Sequence, residues 1–193
     1  MALKTFVIVS GINNLSDARY CAGMEVNELG FNIEPDHENF TDPNKFKEMT
    51  DWLSGVEFVG EILSEQTDLT ATISAYGLQA VQISQLTHLE TAMASGLKVI
   101  FSAQSMADAS AAWEKSNHTL AYIILNGFTP SSAETFPFVI GEGFDANDVL
   151  ETIEKLQPKG ISLKGGDEIR PGYKDFDELA DILEVLEIDD MSV

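Results

Sequence analysis

Short, nearly unbroken apolar runs alternate along this chain with segments in which apolar residues recur every three or four positions. The first pattern predicts strands buried on both faces, the second predicts helices packed over them, and strict alternation of the two predicts a parallel α/β fold. The strand-like runs are 5–10, 27–33, 56–60, 80–83, 97–103, 120–125, 136–140 and 160–163. Helices are expected over 16–22 with Gly23 as the stop, over 43–53 behind the Thr41-Asp42-Pro43 opening, and over 69–76, 87–95 and 106–116. A further helix is capped by Asp145 and ends before Pro158, and the last covers 175–186. Eight strands in this order predict a (β/α)8 TIM barrel, a single domain over 1–193 with an acidic tail from about 188. Between Asn126 and Phe136 lies only Gly-Phe-Thr-Pro-Ser-Ser-Ala-Glu-Thr, too few residues for a crossover helix. The sixth helix is therefore expected to be shortened or missing.

Composition narrows the function classes. With 193 residues, 44% of them hydrophobic, the chain can bury one sizeable core. The formal net charge of −21 argues against nucleic acid or an anionic membrane as partner, since both require a cationic face. The single cysteine, Cys21, leaves no intrachain disulfide and no cysteine metal cluster, and His37, His88 and His118 show no ligand spacing. No metal or cofactor is expected. The apolar run after Lys4 is too short for a signal peptide or a membrane span, which makes a cytoplasmic address the expectation. Nothing in the sequence specifies an oligomeric state.

Candidate chemistry concentrates in Lys159 to Asp175, KGISLKGGDEIRPGYKD. A buried strand ending in Lys164-Gly165-Gly166 lets backbone N–H groups approach an anion, and a short helix starting there would add its positive dipole end. Against the acidic field of the whole chain, Lys164 and Lys174 would have to hold such an anion at short range.

With its strands placed, the chain resembles phosphoribosylanthranilate isomerase over nearly its full length. The resemblance is carried by residues 9–18 (VSGINNLSDA), Glu28-Leu29-Gly30-Phe31 with Pro35, and Ala80-Val81-Gln82-Ile83. It continues through the Gly143 turn with Asn147-Asp148-Val149, then Gly165-Gly166 with Glu168, Pro171-Gly172 and Lys174-Asp175. It implies an Amadori rearrangement of a phosphorylated sugar amine, in which a general acid protonates the ribose ring oxygen and a general base removes the C2 proton. In the family the base is a cysteine at the end of the first strand and the acid an aspartate at the end of the sixth. Ser10 and Asn126 stand at those positions. A hydroxyl is a far weaker base than a thiolate at neutral pH, and an amide delivers no proton. The arginine position beside the anthranilate carboxylate is Asn39, surrounded by Glu34, Asp36 and Glu38. The family's glycine-rich loop after the sixth strand is shortened. At the phosphate end Gly165-Gly166 replaces Ser-Gly, and Gly141-Glu142-Gly143 replaces Ser-Gly-Gly.

Three readings follow. The barrel has lost the isomerisation and retains a small phosphorylated ligand or a partner, with Asn39, Gly143, Lys164, Gly165 and Gly166 as the inherited binding positions. Alternatively it isomerises through Ser10 and Asn126. In the third reading it runs a different reaction on groups at the strand ends: Glu61 following the third strand, Gln82 and Ser84 on and after the fourth, Ser102 on the fifth, and Glu142 with Lys164 across the seventh and eighth, where Glu142 points away from a phosphate, pairs with Lys164 or marks a lost phosphate site. Cys21 is expected to be a buried helix residue, and Trp52 and Trp113 to pack on the barrel's outer layer.

Overall fold

The computed structural model describes residues 2–65, 67–130, 134–141, 143–164, 168–170, 173–174 and 177–188. Its strands are β1 (Phe6–Ser10), β2 (Glu28–Asn32), β3 (Glu57–Ile62), β4 (Ala80–Ile83), β5 (Lys98–Ala103), β6 (Tyr122–Leu125), β7 (Phe138–Ile140) and β8 (Gly160–Lys164). All neighbours pair in parallel, and β8 returns to β1, from Phe6 opposite Gly160 to Ser10 opposite Lys164, so the barrel is closed. Helices α1 (Leu15–Gly23), α2 (Pro43–Thr50), α3 (Leu69–Ser74), α4 (Leu89–Ala94) and α5 (Met106–Lys115) follow the first five strands in turn. Then α6 (Val149–Leu156) follows β7 and α7 (Asp177–Leu186) follows β8. The described residues between β6 and β7 form no helix, as the short connection requires. No helix among the described residues is long and apolar enough to cross a membrane.

Several local expectations are corrected. Asn14, not a residue after it, caps α1 by accepting the Asp17 N–H at 3.0 Å, and the helix therefore starts at Leu15. Gly23 is the last helical residue; the left-handed reversal falls on Glu25, with φ 57°. Asp145 is not the cap of α6. Its carboxylate accepts the Asn147 N–H, its own N–H goes to the Asp148 carboxylate, and Asp148 occupies the cap position. Past β8 the chain forms an antiparallel ribbon, β9 (Glu168–Arg170) with β10 (Tyr173–Lys174), where the start of a short helix was expected. Trp52 is 70% exposed, held by the Arg19 guanidinium 5.9 Å from its ring, and is not part of the outer packing layer. Trp113 does pack there, against Phe136. Cys21 is buried in α1, and burial pushes its thiol up to about 12, which keeps it protonated and unreactive.

Alternation along the strands sorts the side chains into an outer and an inner core. Val7, Val9, Leu29, Phe31, Val81, Ile83, Phe101, Ile123 and Leu125 face the helices. Ile8, Val59, Ala80, Ile100, Ile124 and Val139 fill the barrel lumen with an apolar plug. Two residues earlier on β3, β5 and β6, at the N-terminal end of the barrel, come Glu57, Lys98 and Tyr122, with Glu28 of β2 opposite Glu57. Tyr122 donates its hydroxyl to the buried Glu28 at 2.5 Å, and Lys98 pairs with Glu57 at 2.5 Å. The Lys159 ammonium lies 4.5 Å from the Phe6 ring centroid.

Burial pushes the Glu28 carboxyl up, with the Tyr122 hydrogen bond acting the other way. Because folded Glu28 holds its proton to higher pH than the unfolded chain does, its contribution is full below the ordinary carboxylate range. That contribution is lost as pH rises through the raised folded value. Tyr122→Phe removes the hydroxyl and strands this carboxyl while keeping the ring on Phe6. The expected cost is about 1–3 kcal/mol in urea denaturation at neutral pH.

Candidate functional site

The site at the opposite end follows from the same alternation. Two residues beyond the apolar plug, at the C-terminal ends of the strands, come Ser10, Glu61, Gln82, Ser102, Asn126 and Gly141, with Asn32 and Lys164 in the equivalent places on β2 and β8. Ser10, Asn32, Glu61, Gln82 and Ser102 are all buried, so the barrel mouth has a polar floor. In a (β/α)8 barrel this is the end where reactive groups gather.

Asn126 sits just past β6 and donates its amide to Ser102 Oγ at 2.6 Å. Gly141 makes room for it: a Cβ there would lie 2.6 Å from Asn126 Oδ1 and 3.0 Å from the Leu125 carbonyl. Ser10 stands opposite Lys164 in the β1–β8 register. Glu61 does not follow β3, as its sequence position suggested. It lies within the strand, opposite Asn32 on one side and Gln82 on the other, and is 4% exposed. Its carboxylate occupies the space over Gly30, where a Cβ would be 2.1 Å from Glu61 Oε1 and 3.3 Å from Ser10 Cα. Gly30 therefore admits a carboxylate into the mouth beside Ser10. Next to it, Gln82 is 5% exposed and its Oε1 has no hydrogen-bond partner among the described residues.

The rim is held by side chains that sequence reasoning assigned differently or passed over. Glu34 was read as part of an acidic neighbourhood repelling a ligand carboxylate. It is instead consumed internally, accepting the Leu63 and Ser64 N–H groups at 2.9 Å and the Ser64 and Thr67 hydroxyls at 2.5 and 3.0 Å. Asn32 contributes from below, its Oδ1 accepting the Glu34 N–H at 3.0 Å. Burial raises the Glu34 carboxyl, but these hydrogen bonds outweigh it and hold the group below its ordinary value of 4.5. Asn39 accepts from the Asn13 amide at 3.1 Å, tying the loop after β2 to the loop after β1. Ser84 donates to the Leu63 carbonyl at 2.7 Å. The segment 33–42 thus carries one fully engaged carboxylate, Glu34, and the neutral amide of Asn39, alongside the carboxylates of Asp36, Glu38 and Asp42.

Of the inherited phosphate positions, Gly165 and Gly166 lie outside the described residues, as does Glu142. Gly143 has φ +92°, a conformation that favours glycine, and Lys164 is exposed at the end of β8. At the entry to α6 the Asp148 and Asp145 carboxylates accept the Asp145 and Asn147 N–H groups and add negative charge where an anion would sit. Among the described residues no group of three or more His, Cys, Asp or Glu side chains could hold a metal ion. A shallow groove lined by Leu3, Thr5, Ala22, Asn27 and Gly55 lies at the N-terminal ends of β1–β3, opposite the mouth.

No family model matches the chain. Among curated proteins it is 26% identical to the N-(5'-phosphoribosyl)anthranilate isomerase of Synechococcus sp. (strain JA-2-3B'a(2-13)), over 95% of this chain and 91% of that one. Among solved structures it superposes on the phosphoribosyl anthranilate isomerase of Thermus thermophilus with a TM-score of 0.75 at 20% identity, covering 94% of this chain and 98% of the other. A phosphoribosyl anthranilate isomerase in complex with reduced 1-(o-carboxyphenylamino)-1-deoxyribulose 5-phosphate gives a TM-score of 0.73 at 21% identity with the same coverage. These relatives and solved structures are phosphoribosylanthranilate isomerases, and the chain has their (β/α)8 barrel fold.

Proposed function

We propose that this barrel keeps the phosphoribosylanthranilate isomerase scaffold without its Amadori rearrangement, and that the polar mouth remains a binding site for a small sugar-like ligand. The observation that carries this is the state of the two proton-transfer positions. Ser10 is a buried hydroxyl, and the Asn126 amide is bonded to Ser102 Oγ at 2.6 Å. Neither group exchanges protons near neutral pH, and general acid and general base catalysis contribute about 10²–10⁴-fold each. The neutral Asn39, bonded to Asn13, supplies no charge for an anthranilate carboxylate. Any phosphate would fall to Lys164 and Gly143, together with Gly165 and Gly166.

The test is consumption of phosphoribosylanthranilate, followed by loss of its fluorescence at high protein concentration. No turnover above the uncatalysed rate is expected. Turnover abolished by Ser10→Ala and by Asn126→Ala would instead establish an isomerase that works through a hydroxyl and an amide. A second reading, a different reaction using Glu61 with Glu142 and Lys164, is favoured by one observation, the Glu61 carboxylate lying over Gly30 beside Ser10.

A further inference from the structure

We infer that Asn126-Gly127 is a self-modification site, at which the chain converts the Asn126 side-chain amide into a carboxyl at the barrel mouth. The inference goes beyond the binding reading, and it stands or falls without any ligand. Asn126 is the one asparagine in the sequence followed by glycine. Asparagine is thermolabile because the next backbone nitrogen can attack its Cγ, and glycine, having no Cβ, leaves that nitrogen open. Three features of the fold favour the attack. Gly127 is exposed, with φ 72°, and Asn126 beside it is half-buried, so water has access. The connection from β6 to β7 has no helix among its described residues, and no described residue accepts the Gly127 N–H, so no hydrogen bond there holds the nitrogen back. Finally, Ser102 Oγ lies 2.6 Å from Asn126 Nδ2, the nitrogen that has to leave.

Water is the co-reactant. The Gly127 nitrogen loses its proton to water and bonds to Asn126 Cγ, the Cγ–Nδ2 bond breaks, and ammonia leaves behind a succinimide ring. In the resting amide Nδ2 donates to Ser102 Oγ. Once Cγ is tetrahedral, Nδ2 regains its lone pair and takes the Ser102 hydroxyl proton, which water then replaces. A water molecule next adds to one ring carbonyl, giving aspartate or isoaspartate according to which carbonyl it attacks. The net change is amide plus water to carboxylate plus ammonium. In the aspartate product the hydrogen bond at the end of β6 reverses, because a carboxylate only accepts and the Ser102 hydroxyl must donate. The mouth gains one negative charge and a group able to exchange protons, which neither Ser10 nor the Asn126 amide provides.

The experiment is peptide mapping by mass spectrometry on the full-length folded chain, sampled over time at neutral and at alkaline pH. A gain of about 1 Da at Asn126 is expected, preceded by a form that has lost ammonia, and faster at alkaline pH because the attacking nitrogen gives up its proton. Asn126→Gln is expected to abolish the gain. Ser102→Ala is expected to slow it about tenfold, less than an acid matched to the working pH would achieve, and Ser102→Thr, which keeps the hydroxyl, to restore the parent rate. Thermal melts show that each variant is folded. No gain at Asn126 in the folded parent, or an equal gain at asparagines not followed by glycine, would overturn the inference. A parent rate in folded Ser102→Ala would overturn the role given to Ser102.

Discussion

Gly160→Ala is expected to lower the melting temperature by about 6–12 °C, from a loss of about 3 kcal/mol where the barrel closes. Gly160 is the first residue of β8 and stands opposite Phe6 of β1. A Cβ built on it would lie 2.0 Å from the Phe6 carbonyl oxygen and 2.7 Å from its carbon. These are backbone atoms, so no rotamer change relieves the overlap; β1 and β8 must move apart, and theirs is the pairing that joins the two ends of the sheet. Gly23→Ala is the control. It lies at the end of α1 with nothing within 4 Å of the added carbon, and should raise stability by about 0.4–1 kcal/mol through the unfolded chain. Equal effects of the two substitutions in thermal melts would show that closure at β1–β8 tolerates the strain.

Glu34→Gln is expected to cost about 2–3 kcal/mol at neutral pH, because an amide cannot accept what this carboxylate accepts. The Leu63 and Ser64 N–H groups and the Ser64 and Thr67 hydroxyls all donate to it, and an amide nitrogen would face donors. The pH dependence has a definite sign. The folded carboxyl titrates below its ordinary value of 4.5, so its contribution is fully present above that value and is lost as pH falls through the folded one. Urea denaturation of parent and variant should give stabilities that converge as pH falls below 4.5 through the folded value, where Glu34 becomes protonated and resembles the amide. A gap that stays constant over that range would mean that charge at position 34 does not hold the loop after β3. The same clamp predicts faster amide hydrogen exchange at Leu63 and Ser64 in the variant, since their N–H groups lose their acceptor.

The two ends of the lumen divide the work. At the N-terminal end, Glu28 with Tyr122 and Glu57 with Lys98 satisfy one another and close the barrel with polar side chains. At the C-terminal end Gln82 Oε1 has no partner among the described residues, and Glu61 stands next to it in register. A buried acceptor without a partner carries a cost unless something else supplies one, which is the physical reason the proposed binding site is the mouth and not the lower layer.

The amino-acid sequence by itself determined the barrel and its order of elements. A strand buried on both faces must be written as a continuous apolar run, and eight such runs separated by amphipathic segments admit little else. It also determined which side chains stand at the first and sixth strand ends, since those positions are set by where the apolar runs stop; Ser10 and Asn126 are found there. The short connection after β6 was equally legible, because chain length bounds what can be built. Tertiary structure alone decided the rest. Glu61 read as the residue after a strand because a charge interrupts an apolar run, yet it is a strand residue whose carboxylate is housed over Gly30, a neighbour only through β2–β3 pairing. Glu34 read as surface acidity because its partners at Leu63, Ser64 and Thr67 lie far along the chain. The burial of the Gln82 oxygen, without a partner among the described residues, exists only once β3, β4 and β5 enclose it. Local pattern carries burial and periodicity; which polar groups meet across a closed barrel depends on register and shear, and no run of neighbouring residues encodes those.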